Sequence, residues 1–296
     1  MRRLPRDPLA FLWSRARMLV AGIDARFGRG SLVAPGGPVV SLTSFDPRLR
    51  SAHLTVVSIG RGTVRPSRIV LWLDELDHVA MPVPTLARLR RRGLELRHCV
   101  DHGPHKKYLP YVSSVAHHTV PMVTADDDVL YPRRWLETLF ADHLVRPDAV
   151  FAHRVNRITV SGDRIEAYTA WGRALDRRVT PRNYAVGIKG ILYPPVMLDA
   201  LREAGDGFVD VAPGSSDTWL HHRSLAAGVV TLPTLSLRGR GFTPIRGVAR
   251  APALLEQNVD AGRNDRVRAA LLTPTQVRAI VEDDWDAIAD ACQSVM

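Results

Sequence analysis

Hydrophobic residues in the first half of the chain fall into short runs, and each run ends in polar residues on the same side. Val39-Val40-Ser41-Leu42-Thr43-Ser44-Phe45 reads as a first strand, followed by a loop with Asp46 and Arg48. His53 to Ile59 reads as a short helix. Ser67 to Leu73 reads as a second strand, ending in Asp74 and Glu75. Pro84 to Arg92 is helical and stopped by Gly93, and Leu94 to Val100 is a third strand ending at Asp101. His102 to Tyr108 leads into a further helical stretch. Val120 to Thr124, rich in β-branched residues, then reads as a buried strand that feeds Asp126, Asp127 and Asp128. Pro132 fits the first position of a helix, because that position needs no N–H. Trp135, Leu136, Leu139, Phe140 and Leu144 continue it at helical spacing. This alternation predicts an α/β fold with a mostly parallel, doubly wound sheet and right-handed crossovers.

The second half has a different pattern. Ala149 to His153 reads as a strand. Arg157 to Val160 and Arg164 to Ala167 read as a hairpin across Ser161-Gly162-Asp163. Val186 to Tyr193 follows, closed by Pro194-Pro195, with glycines that would let a ligand approach the backbone. Asp217 stands before a helix running through His221, His222 and Leu225 to Gly228, as an N-cap or as a reactive acid. Val229 to Leu232 is a last strand. Thr273-Pro274-Thr275-Gln276 is a capping box, and Glu282-Asp283-Asp284 with Asp286 reads as a solvated helix face. Residues 1–36 form a basic amphipathic segment ended by Pro35-Gly36-Gly37-Pro38, 37–235 the main domain, and 236–296 a loop and helical extension.

Composition adds charge to this picture. The net charge is +10, and 46% of the residues are hydrophobic, enough for a real core. Such a balance admits nucleic acid, anionic lipid or phosphorylated substrates. Only Lys106, Lys107 and Lys189 are lysines, so the basicity is an arginine habit and argues weakly for nucleic acid. Residues 1–30 hold seven arginines and two aspartates, interleaved with Leu, Phe and Trp. Their longest apolar run, Met18 to Ile23, cannot span a bilayer, and Arg15 and Arg17 break any signal-peptide core. The segment suits an anionic membrane surface or simple packing on the main domain. Cys99 and Cys292 are too few for a disulfide framework and point to a reducing cytoplasm.

The chemistry gathers at the strand ends. Thr43, Ser44, Arg48, Asp74, Asp101, Lys107 and the aspartate triplet all fall where open α/β sheets place ligands. Adjacent carboxylates repel unless a cation or solvent relieves them. In an extended segment Asp126 and Asp128 share one face, which suits Mn²⁺ or Mg²⁺ with phosphates and water completing the shell. The ordinary alternative is a solvated acidic turn.

The order Ser41-Leu42-Thr43-Ser44-Phe45…Arg48, Lys106-Lys107-Tyr108-Leu109-Pro110 and Thr124-Ala125-Asp126-Asp127-Asp128…Tyr131-Pro132…Trp135-Leu136 resembles a group of bacterial, family 2-like glycosyltransferases with the GT-A fold. These enzymes assemble capsules and surface polysaccharides. The resemblance continues through Ala152-His153-Arg154, Lys189 to Pro195, Ser216-Asp217-Thr218-Trp219 and Asn258 to Asp265, over roughly residues 39–267. It implies a GT-A-like mixed sheet and a nucleotide-sugar donor bound with a divalent metal at a DxD-type motif. Asp126 and Asp128 would be the ligands, with Asp127 toward the nucleotide or sugar. Where the group commonly has two acids, this chain has Ser216-Asp217, so Asp217 alone is left as the base. His153, Arg154, Lys189, Gly190 and Trp219 would lie on the acceptor side, Trp219 offering an apolar face to a sugar. Lys107 or an arginine of the 238–246 loop would assist the leaving diphosphate. The implied reaction moves a sugar to a glycan or glycolipid hydroxyl. Displacement assisted by a base would invert the anomeric centre, with retention the alternative. The expected location is the cytoplasm, with docking at the inner face of the plasma membrane through residues 1–30. The two competing readings are a sugar-phosphate nucleotidyltransferase, for which Pro35-Gly36-Gly37 is a poor phosphate loop, and a basic nucleic-acid-binding protein. No nucleic-acid partner is expected from the scattered arginines.

Overall fold

A computed structural model describes residues 8–46, 48–237, 241–245, 258 and 262–293. The elements in chain order are α1 (Pro8–Phe27), β1 (Val39–Thr43), α2 (Leu49–Gly60), β2 (Arg68–Leu73), α3 (Leu76–Ala80), α4 (Pro84–Arg90), β3 (Leu94–His98), α5 (Leu109–Ser114), β4 (Met122–Ala125), β5 (Val129–Leu130) and α6 (Trp135–Val145). Then come β6 (Val150–Ala152), β7 (Val155–Arg157), β8 (Val160–Ser161), β9 (Arg164–Ile165), β10 (Gly172–Arg173), β11 (Asn183–Ala185), β12 (Ile191–Tyr193), α7 (Pro195–Ala204), α8 (Ser216–Ala226), β13 (Thr231–Pro233) and β14 (Thr243–Pro244). Three helices close the chain: α9 (Arg263–Leu271), α10 (Pro274–Glu282) and α11 (Asp286–Gln293).

Seven strands form the central sheet in the order β13-β6-β12-β4-β1-β2-β3. The strands β4, β1, β2 and β3 are mutually parallel neighbours, in register Val39↔Arg68 and Val39↔Met122. β12 runs antiparallel to β4 and β6, which makes the sheet mixed. Both faces are covered, so the strands are buried almost throughout: Val40, Leu42, Ile69 and Leu71 are fully inaccessible. One face packs on α2, α4 and α6 through Val56, Leu89 and Leu139. The other packs on α5, α7 and α8 through Val112, Leu198 and Leu220. α1 adds to the first layer by burying Ala21 and Ala25.

Several local readings need correction. The helix expected from Pro132 begins at Trp135, whose N–H bonds back to the Pro132 carbonyl (2.9 Å). The residues before it form a turn. The stretch Val186–Tyr193 is a strand only from Ile191, because Lys189 (φ 69°) and Gly190 (φ 100°) turn the backbone out of the extended region. The hairpin is shorter than expected: Val160 pairs with Ile165 and Ser161 with Arg164. Arg157 pairs instead with Gly172 and Asn183. The acidic run is a solvated face only in part: Glu282 and Asp286 are exposed, but Asp283 is not. Asp283 ends α10 at φ 59°, accepts a hydrogen bond from Thr180 and pairs with Arg178 at 3.0 Å. The capping box of Thr273 and Gln276 is present in both directions.

Candidate active site

Because β1, β2, β3 and β4 are parallel, their carboxyl ends meet on one edge, and the polar residues that follow each strand line one cavity. That cavity measures about 580 Å³. Thr43, Arg48, Asp74, Lys107 and the three aspartates line it, with Lys106 and Phe45. Asp127 is buried and fixed. Its carboxylate accepts hydrogen bonds from Ser44 Oγ (2.6 Å) and Arg48 Nη1 (2.8 Å). Thr55 Oγ1 donates to the Asp127 carbonyl at 2.9 Å, so the turn after β4 is held from α2. Losing one partner of such a buried charged pair costs roughly 3–5 kcal/mol.

Asp126 faces the other way. Its carboxylate takes a short hydrogen bond from Lys107 Nζ and a longer one from the Lys189 N–H (3.4 Å), and its own N–H donates to the Tyr131 hydroxyl (2.7 Å). Burial works against the Lys107 ammonium, but the charges of Asp126, Asp217 and Asp127 outweigh it and raise its pKa. Asp128 is the most open of the three, with Arg48 Nη2 at 3.3 Å. Burial raises its pKa, and the neighbouring Asp126 charge raises it further. That mutual repulsion is the condition a divalent cation would relieve. Among the described residues no three acidic or histidine side chains converge enough to hold a metal alone. Asp126 and Asp128 both line the larger cavity, and a cation held by that pair would take its remaining ligands from phosphate oxygens and water.

A second group of charges, one lysine and two aspartates, braces the cavity. Lys106 Nζ lies 2.5 Å from Asp74 Oδ2 and 2.8 Å from Asp101 Oδ1. Sequence reasoning gave Lys106 no role. Its signal was its place in a 3₁₀ turn between two acidic strand ends.

Across Lys107 and Asp126 lies a smaller cavity of about 230 Å³, which reaches Asp217. Asp217 sits in the first turn of α8 and is no N-cap: its Oδ2 accepts the Gly187 N–H at 2.8 Å. A Cβ on Gly187 would stand 2.7 Å from Asp217 Oδ1, so any larger residue would displace that carboxylate. The sequence glycines thus admit a protein carboxylate to the backbone. Burial raises the Asp217 pKa, against the Gly187 hydrogen bond and the Lys107 charge.

The residues expected on the acceptor side divide. Lys189 and Gly190 form a turn next to Asp126 and line neither cavity; Trp135 Nε1 pins it by donating to the Lys189 carbonyl (2.7 Å). A Cβ at Gly190 would meet that indole at 2.7 Å. Arg154 is partly exposed and holds Val186 through its carbonyl (2.9 Å). His153 and Trp219 are core residues. His153 is 1% exposed, packs on Phe242, and is kept neutral by burial, which lowers its pKa to about 4. Trp219 packs between Phe208 and His222 and offers no open face. Arg238, Arg240 and Arg246 lie outside the described residues.

No protein-family model matches the chain, and no curated protein does. Solved structures do. The mannosyltransferase PcManGT from Pyrobaculum calidifontis, in complex with GDP-Man and Mn²⁺, superposes with a TM-score of 0.50 at 12% identity, over 96% of this chain and 84% of that one. The chain has the GT-A fold. GalNAc-T7 with UDP, GalNAc and Mn²⁺ (TM-score 0.47, 12% identity, 78% of this chain) and S. aureus TarS 1-349 (0.45, 12%, 67%) are more distant. The chain spans about half of GalNAc-T7 (52%) and 58% of the TarS chain.

Proposed function

We propose that this protein is a metal-dependent glycosyltransferase that moves a sugar from a nucleoside-diphosphate sugar to a hydroxyl of a glycan or glycolipid. One observation carries the reading: a larger charged cavity and a smaller cavity share Lys107 and Asp126 as a common wall, with Asp217 in the smaller one. The donor would occupy the larger cavity, its diphosphate near Lys107 and the Asp126–Asp128 pair. GDP-Man and Mn²⁺ in the mannosyltransferase of the same fold are consistent with that assignment. Mn²⁺ or Mg²⁺, when bound, would counter the charge that grows on the leaving diphosphate.

Asp217 is the proposed base. The acceptor oxygen forms a bond to the anomeric carbon, its proton passes to Asp217, and the bond from that carbon to the diphosphate oxygen breaks. Attack opposite the leaving group inverts the centre. Burial gives Asp217 a proton affinity closer to neutrality than a solvated aspartate has, which suits general-base work. Asp217→Asn is expected to lower transfer by about 10²–10⁴-fold while nucleotide-sugar binding persists. Retained transfer in that variant would remove Asp217 from the chemistry.

A capsule or surface-polysaccharide role would place the acceptor at a membrane, and α1 supports that placement. Leu12, Leu19, Val20, Ile23 and Phe27 are exposed. At 100° per residue they share an arc of roughly 100°, opposite the buried Ala21 and Ala25. Trp13 is 70% exposed beside them, and the basic Arg15 and Arg26 are exposed too. An apolar face with cations on a helix suits an anionic lipid surface. Among the described residues no helix is long and apolar enough to cross a membrane.

A further inference from the structure

The smaller cavity contains an aromatic ring that the sequence did not point to. Tyr168 lines it together with Asp217 and Asn264. The ring is partly exposed and backed by Trp171 (centroids 4.9 Å) and Tyr184 (5.7 Å). Its backbone N–H is tied to Asp265 Oδ1 at 3.0 Å, and its hydroxyl accepts from Asn156 Nδ2 at 3.4 Å. The ring is therefore held in place before anything binds. Asn264 is equally fixed. Its Oδ1 accepts from Ser215 Oγ (2.6 Å) and Thr218 Oγ1 (3.4 Å), which leaves the amide N–H groups to donate into the cavity. Val186 and Ile188 supply apolar wall.

A rigid aromatic face, one amide donor and one carboxylate acceptor around about 230 Å³ make a site for a single polar ring with apolar C–H faces. Drug-sized ligands need larger pockets, about 300–1,000 Å³. We infer that this cavity is a pyranose subsite. The ring stacks on Tyr168, Asn264 donates to one ring hydroxyl, and another hydroxyl meets Asp217. The identity of that ring as the acceptor rests on the glycosyltransferase reading; the subsite itself does not. Tyr168 thus takes the part that the resemblance implied for Trp219, whose ring is closed in the core.

The test is direct binding, by saturation-transfer NMR titration, of methyl pyranosides of gluco, galacto and manno configuration, with ribitol as an acyclic polyol. Nucleotide-sugar binding is measured alongside on the same proteins. At least one pyranoside is expected to saturate the wild type and to bind Tyr168→Ala about tenfold or more weakly, a loss of about 1.4 kcal/mol. Tyr168→Phe keeps the ring and should stay within about threefold, a difference under about 1 kcal/mol. Nucleotide-sugar affinity should not change in either variant, because Tyr168 does not line the larger cavity. Equal pyranoside binding by Tyr168→Ala, or binding of ribitol alone, overturns the subsite. Tyr168-dependent pyranoside binding without any nucleotide-sugar binding keeps the subsite and removes the glycosyltransferase reading. Nucleotide-sugar binding with no pyranoside binding does the reverse.

Discussion

Asp127 within the acidic triplet and Asp217 beside it are both carboxylates, yet their surroundings differ. Asp127 has Ser44 and Arg48 on its two oxygens and is committed to holding the turn. Asp217 has one backbone N–H and an upward-shifted pKa. As a base it must be ionised, so kcat/KM should rise with pH through its titration. That acid limb should lie above the ordinary aspartate value of about 3.9, and a pH profile of transfer reads it directly. A limb at or below the ordinary value would show that Asp217 is not the titrating base. The linkage has the opposite sign for stability. A carboxyl whose folded pKa is raised favours the fold at low pH and loses that contribution as pH rises through it. The acidic triplet was legible in the sequence because it follows a buried strand. The roles of Gly187 and Tyr168 were not, because each depends on a partner distant in the chain: Asp217 for the first, Asn264 across the cavity for the second.

Among elements, the parallel strands were the most legible, since β1, β2, β3 and β4 each pair an apolar run with a polar end. The antiparallel β12 was hidden by the positive-φ turn at Lys189 and Gly190, which removed half of its apparent length. α1 was legible as an amphipathic basic segment, but which face it buries is decided by small residues, Ala21 and Ala25, that fit closely against the core. Leu12, Trp13, Leu19, Val20, Ile23 and Phe27 are left outward, while Met18 packs against the core. From this, wild-type protein is expected to float with vesicles of phosphatidylglycerol and not with phosphatidylcholine. A Leu19→Glu/Ile23→Glu variant should lose flotation with its thermal midpoint nearly unchanged, because both residues are exposed. Equal flotation of that variant would show that α1 is not the contact.

For the whole molecule, the net charge of +10 is a poor guide on its own. It would suit a nucleic-acid partner as well as a phosphorylated small molecule. Topology adds what composition does not, the place where the charges meet. The parallel half of the sheet brings Arg48, Lys106 and Lys107 to the same edge as five aspartates (Asp74, Asp101, Asp126, Asp127 and Asp128), so the cations there are paired with carboxylates. Under the proposed function, a divalent cation would let such an edge take a diphosphate despite its carboxylates. The sequence showed which residues end the strands. It could not show the strand order, because pairing β4 beside β1 and β12 beside β4 joins segments far apart in the chain. The central claim is the donor site at that edge. Calorimetry of UDP-, GDP- and dTDP-sugars, with and without Mn²⁺, tests it most directly. One nucleotide class is expected to bind only with metal, and Asp126→Ala/Asp128→Ala is expected to abolish the heat. Absence of binding by every nucleotide sugar in both metal conditions would contradict that claim.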